Sequence, residues 1–155
     1  IDNHSSLIKR IIEKYRSNVM IKMVSSSKKE EVFKNSFAAI AVSGTITLEL
    51  ALYKVPFFTV YKLNFFSYFF LKKLVYAKYI TLINIIFDKP VVPELIQSAF
   101  TKGNIVKYLD GTLMNKKKYS EQIKEFKKLE IVLKNNRNSP SYMASNLIKK
   151  SLDTK

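Results

Sequence analysis

The apolar run Phe37-Ala38-Ala39-Ile40-Ala41-Val42 stops abruptly at Ser43-Gly44-Thr45, and Ile46 to Tyr53 then resumes with helical spacing. An unbroken apolar run of this length predicts a strand buried on both faces. Ile46, Leu48, Leu50, Ala51 and Leu52 suit a buried helix, so the stretch predicts strand, tight turn, helix. At the turn Gly44 permits a positive φ or a close backbone approach, and Ser43 or Thr45 can cap the helix. The first N–H groups of such a helix carry the positive end of its dipole and suit a phosphate. Glu49 follows Thr45 by four residues, which puts both on one helix face, where a carboxylate can accept hydrogen bonds from sugar hydroxyls. The plain alternative is that Ser-Gly-Thr only hands a strand over to a helix and Glu49 only favours the dipole.

Further strands are expected at Val19 to Val24, Val55 to Tyr61 and Tyr79 to Ile83. Helices are expected from Ser5 or Ser6 to about Arg16, over Lys28 to Asn35, and through the aromatic stretch Phe65 to Lys78 capped by Asn64. This alternation predicts an α/β, Rossmann-like parallel sheet with helices on its faces. The remainder reads as helical. Pro93 opens a short helix carrying Glu94 and Gln97, Thr101 caps another ended by Asp110-Gly111, Asn115 to Lys134 is long and charged, and Ser139-Pro140 starts the last. The alternation covers residues 1–112, and 113–155 reads as a helical segment.

In such sheets ligands bind beyond the carboxyl ends of the strands. The Ser43 turn, the Tyr61 to Asn64 loop and the segment after Ile83 should therefore gather along one edge. Asn84 would stand there as an amide with donor and acceptor capacity, or as an ordinary turn residue. Glu94 and Gln97, one helical turn apart, are further candidates, against the reading of a capping carboxylate and a solvated amide.

The chain has 155 residues and a formal charge of +15, from 27 Lys and Arg against 12 Asp and Glu. That excess attracts anions without naming them: nucleic acid, an anionic membrane or phosphorylated substrates. Abundant Lys, Ile, Asn, Phe and Tyr with scarce Gly, Trp and Arg also fit drift toward A/T-rich codons. Cysteine is absent, which removes disulfides and thiolate metal sites. His4 has no nucleophile or metal-partner pattern around it. There is no Walker loop and no complete Gly-x-Gly-x-x-Gly. No secretory signal is visible, and Val55 to Tyr76 is broken by Lys62, Asn64, Lys72 and Lys73, short of a spanning segment. The aromatic segment from Phe65 to Leu71, followed by Lys72 and Lys73, is a packed helix or a lipid contact.

Four blocks in order, Ala41 to Leu52, Val55-Pro56 with Val60-Tyr61-Lys62, Tyr79 to Ile86 and Val92 to Gln97, resemble the C-terminal part of lipid-A-disaccharide synthase. The resemblance is close over about residues 37 to 110. It implies a two-domain GT-B glycosyltransferase that uses UDP-2,3-diacylglucosamine and 2,3-diacylglucosamine 1-phosphate at the cytoplasmic face of the bacterial inner membrane. It further implies Ser43, Gly44 and Thr45 as phosphate contacts, Glu49 as a partner of the nucleotide sugar, Asn84 as a functional residue of the donor pocket, and no metal or other cofactor. Where the family usually has Leu-Pro-Asn, this chain has Leu82-Ile83-Asn84. The acceptor domain with its expected acidic base has no counterpart here, so the chain should be roughly the last two fifths of the enzyme, judged by ordinary domain sizes, and inactive alone. Partners expected on this basis are the two substrates, the missing half, the membrane surface and a second copy, with no nucleic acid. The competing class is a non-catalytic basic module on an anionic membrane or nucleic acid.

Overall fold

A computed structural model of the chain describes residues 4–15, 19–64, 78–134 and 140–152. They fall into two compact units, 1–32 and 33–155. In the first, α1 (Ser5–Lys14) forms as its apolar spacing demands, yet none of its residues is buried. Ser25 accepts from the Ser27 N–H to start a short 3-10 turn, Ser26–Lys28, which runs into α2 (Lys29–Asn35). Residues 19–24 form no strand, which corrects the expectation there. Their β propensity finds no ladder partner, and propensity without pairing does not make a strand.

The second unit is built on three parallel strands in the order β1 (Ala39–Ala41), β2 (Phe57–Tyr61), β3 (Glu94–Ile96). Ala39 lies opposite Phe57, and Thr59 lies between Ala41 and Glu94. Two expectations change here. The Pro93 to Gln97 helix is instead β3, because the Thr59 N–H donates to the Pro93 carbonyl and draws the segment onto the open side of β2. Tyr79 to Ile83 is not a strand, because Thr81 turns the chain into α4 (Leu82–Phe87).

Strand alternation assigns the two faces. Phe57 shares one core with Ala41, Leu50 and Ala51 of α3 (Ile46–Leu52), Ile83 of α4, and Phe126 and Leu129 of α6 (Lys116–Lys134). Phe58 and Leu95 point the other way and meet Ile105 and Tyr108 of α5 (Lys102–Tyr108), which the Thr101 hydroxyl caps as expected by accepting from the Asn104 N–H. A π-helical turn, Leu109–Leu113, then continues where Asp110-Gly111 was expected to end the helix. Asn115 caps α6, accepting from the Lys117 and Lys118 N–H groups. A final helix, α7 (Pro140–Leu152), matches its expected span. The expected helix from Phe65 falls almost wholly outside the described residues.

β1 is an edge strand rather than one buried on both faces. Ile40 is 50 % exposed, and Phe37 and Val42 beside it are 59 % and 54 % exposed. Phe37 stacks on Tyr119 with ring centroids 5.0 Å apart.

Candidate functional site

The carboxyl ends of all three strands face one edge of the sheet, as parallel pairing requires. β1 ends at Ala41, and after Val42 the Ser43-Gly44-Thr45 turn leads into α3. Neither hydroxyl caps α3 by its side chain. Ser43 Oγ donates to the Ile80 carbonyl at 2.9 Å, and the Thr47 hydroxyl donates back to the Gly44 carbonyl at 2.6 Å. Gly44 does not use a positive φ, and a Cβ added to it would meet nothing within 4 Å. What its hydrogen side chain provides is open space above the turn. Among the described residues, no hydrogen bond is made by the backbone N–H groups of Gly44, Thr45 or Ile46. Unpaired backbone donors at the start of a helix are an anion-compatible surface. Glu49 lies one turn further along α3, half-buried.

The Ser43 turn abuts a network centred on Glu94. Glu94 Oε1 accepts from the Thr81 N–H at 2.8 Å, from Asn84 Nδ2 at 2.9 Å and from the Ile80 N–H at 3.2 Å. Asn84 is not at a strand end. It sits inside α4 with no exposed surface, donating to the Val92 carbonyl at 2.7 Å and accepting from the Val92 N–H at 2.8 Å. Both of its N–H donors are thereby used within the chain. The Thr81 and Thr59 hydroxyls, both buried, meet at 3.0 Å and tie the entry of α4 to the middle of β2. Among the described residues no buried side-chain polar atom lacks a partner.

Gln97 lies just past β3 with φ at 52°, and it is not on a helix with Glu94. Its Oε1 accepts from the Leu63 N–H at 2.8 Å and its Nε2 donates to the Leu63 carbonyl at 3.3 Å. The amide thus pins the loop that leaves β2. The structure joins Ser43, Asn84 and Glu94 in one hydrogen-bonded network and sets Gln97 at the adjacent strand end. Glu49 and Thr45 make none of these bonds. The expected strand over residues 79–83 hides Thr81, and Thr59 in β2 meets it only through the fold. The available signal was Thr81 ahead of Leu82-Ile83-Asn84, an N-cap residue before an apolar turn.

Among the described residues, two hollows stand out away from the Ser43 turn. One of about 570 Å³ sits at the amino end of β3, between Lys89, Pro93, Lys118 and Gln122. A second, of about 360 Å³, shares Lys118 and Tyr108 with it and touches Glu94. Beside the first, Glu125 is held below the usual carboxylate value by hydrogen bonds from Lys128 and Lys89, at 2.7 and 2.6 Å. Lys78, near the entry of α4, is raised above the usual ammonium value by its Tyr79 and Asp88 partners. Among the described residues no three His, Asp or Glu side chains gather to hold a metal. No helix among them is long and apolar enough to cross a membrane.

A parallel sheet with helices on both faces and a strand-to-helix turn at its carboxyl edge defines the Rossmann-like class of folds. Residues 2–148 match the family model described as lipid-A-disaccharide synthetase. The chain is 37 % identical over 148 residues to the lipid-A-disaccharide synthase of Rickettsia felis, covering 94 % of this chain and 37 % of that protein. To those of Rickettsia conorii and Rickettsia bellii it is 37 % and 36 % identical, covering 90 % and 95 % of this chain and 31 % and 38 % of theirs. The chain belongs to the lipid-A-disaccharide synthetase family, a family of GT-B glycosyltransferases in lipid A biosynthesis, and has the fold of its C-terminal part. It spans less than two fifths of the length of these relatives.

Proposed function

We propose that the chain supplies the donor half of a lipid-A-disaccharide synthase, binding UDP-2,3-diacylglucosamine for transfer to 2,3-diacylglucosamine 1-phosphate. The observation that carries this is the Ser43 turn: uncommitted N–H groups on Gly44, Thr45 and Ile46, open space over Gly44, and Glu49 one turn beyond. In this reading the turn holds the diphosphate and Glu49 accepts hydrogen bonds from the sugar of the nucleotide. Asn84, Glu94 and Gln97 shape that pocket through the backbone segments they grip. Residues 1–112 belong to the partial nucleotide-sugar-binding domain, and 113–155 form a helical segment that packs on it or on the missing N-terminal domain.

Inverting transfer needs a base on the acceptor hydroxyl and donors that stabilise departing UDP. In this reading the chain offers the second, while the base belongs to the missing part; within the network the Glu94 carboxylate is engaged by intrachain N–H donors. Holding acceptor in line with donor is worth on the order of 7–11 kcal/mol of barrier, which a single half of the cleft does not provide. The chain alone is therefore expected to be inactive, and its place is the cytoplasmic face of the bacterial inner membrane, with the remaining part of the enzyme as partner.

Titration with UDP followed by calorimetry tests the donor pocket. Binding should be abolished by Glu49→Ala in a chain that circular dichroism shows to be folded. Binding that ignores this substitution and falls steeply with salt would favour an electrostatic module instead. Assay with both substrates tests the rest: disaccharide should form only when the missing part is supplied, and product from the chain alone would falsify this reading.

A further inference from the structure

We propose that Glu94 is a positioning residue, whose carboxylate sets the Ser43 turn through the single peptide group joining Ile80 and Thr81. That peptide is held at both ends. Its N–H, on Thr81, donates to Glu94 Oε1 at 2.8 Å, and its C=O, on Ile80, accepts the Ser43 hydroxyl at 2.9 Å. A trans peptide is planar, and its N–H and C=O point in opposite directions, so fixing the first aims the second. An anionic acceptor on the N–H also polarises the group, making the carbonyl a stronger acceptor for Ser43.

Glu94 is suited to this because its backbone is fixed in β3 opposite Thr59, and its charge is answered by N–H donors alone among the described residues. The Asn84 amide and the Ile80 N–H complete the grip, and the Thr59 and Thr81 hydroxyls hold the same peptide from the strand side. The carboxylate therefore reaches the turn without touching a ligand, and the order of action is β3, Glu94, the Ile80 peptide, Ser43. That the turn receives the donor phosphates rests on the proposed function; the relay itself does not.

Amide NMR on the unliganded chain reads the relay directly. Glu94→Ala should raise the exchange rate of the Thr81 amide at least tenfold and shift the Gly44, Thr45 and Ile46 amides. Glu94→Gln, which keeps an oxygen for the Thr81 N–H, should restore most of both. In a Ser43→Ala background, Glu94→Ala should still expose Thr81 and produce no further shift at residues 44–46. If Glu94→Ala does not fold, Glu94→Asp, with its shorter stem, is read in the same way. Unchanged resonances at Gly44 to Ile46 in the Glu94 variants, or equal shifts with and without the Ser43 hydroxyl, would overturn the relay. UDP is titrated separately. Weakening of about tenfold in Glu94→Ala, with recovery in Glu94→Gln, is expected, whereas wild-type chain that takes no UDP would refute the phosphate reading and leave the amide result to judge the relay.

Discussion

At its amino end β2 is gripped by Gln122, and just beyond its carboxyl end by Gln97, in the same way: each side-chain amide pairs with the N–H and C=O of one backbone residue, as a neighbouring strand would. Gln122 bonds both groups of Phe57, at 2.9 and 3.0 Å, and reaches the Val91 carbonyl at 3.1 Å, all while 4 % exposed. Gln97 holds Leu63 in a half-exposed site. Around Gln122 stands the apolar core of Phe57, Phe126 and Leu129; around Gln97 are loops and the candidate site. The Gln122 amide is buried, and the Gln97 amide is held within reach of water. The difference matters because an unmet backbone group costs most where no water can replace the lost partner.

The sharpest break of that comparison is Gln122→Leu, which strands the Phe57 N–H and two carbonyls in the core. We expect a loss of about 3 kcal/mol or more in urea unfolding. Gln97→Ala should cost no more than about 1 kcal/mol, because water reaches Leu63 and the replacement removes little buried surface. Equal losses at the two positions would erase the distinction between the edges. Asn84→Ala, at the buried heart of the network, should fall between them at about 2 kcal/mol.

Smaller effects sharpen the picture at the Gln122 end. Glu125 bridges Lys89 and Lys128 and is held below its ordinary value by Lys128 first and Lys89 next. A depressed folded value contributes stability that is fully present above the unfolded carboxylate value and is lost as pH falls through the folded one. The wild-type advantage over Glu125→Gln should thus be about 0.5 kcal/mol at neutral pH, given how exposed both lysines are, and should vanish in acid. An advantage that grows on acidification would reverse the sign. Of similar size but opposite sign is Lys54→Gly. Lys54 follows α3 with φ at 58°, where the Val55 N–H donates to the Leu50 carbonyl and the Lys54 N–H to Ala51 in a Schellman closure. Glycine adopts this conformation without strain, so the variant should gain about 0.5 kcal/mol, measured as a small rise in melting temperature.

By itself the sequence determined the parallel α/β class, β2, the helices α3, α5, α6 and α7 to within a few residues, and the Ser43 turn at the end of β1. Each of these rests on local information: an apolar run closed by Ser-Gly-Thr, a stripe at helical spacing, a Thr or Asn cap. Only the tertiary structure decided between strand and helix at Tyr79 to Ile83 and Pro93 to Gln97, where short apolar runs fit either period. Pairing with β2 made Glu94 to Ile96 a strand, and a Thr81 held by Glu94 and Thr59 made Leu82 to Phe87 a helix. The same long-range contacts moved Asn84 from a strand end into the core and turned Glu94 and Gln97 toward backbone groups. Ser43 and Ile80 are 37 residues apart, and Phe57 and Gln122 are 65 apart. Nothing in a local pattern encodes which distant peptide a side chain will meet, because that choice is made by packing the apolar faces and then satisfying every polar group the packing has buried.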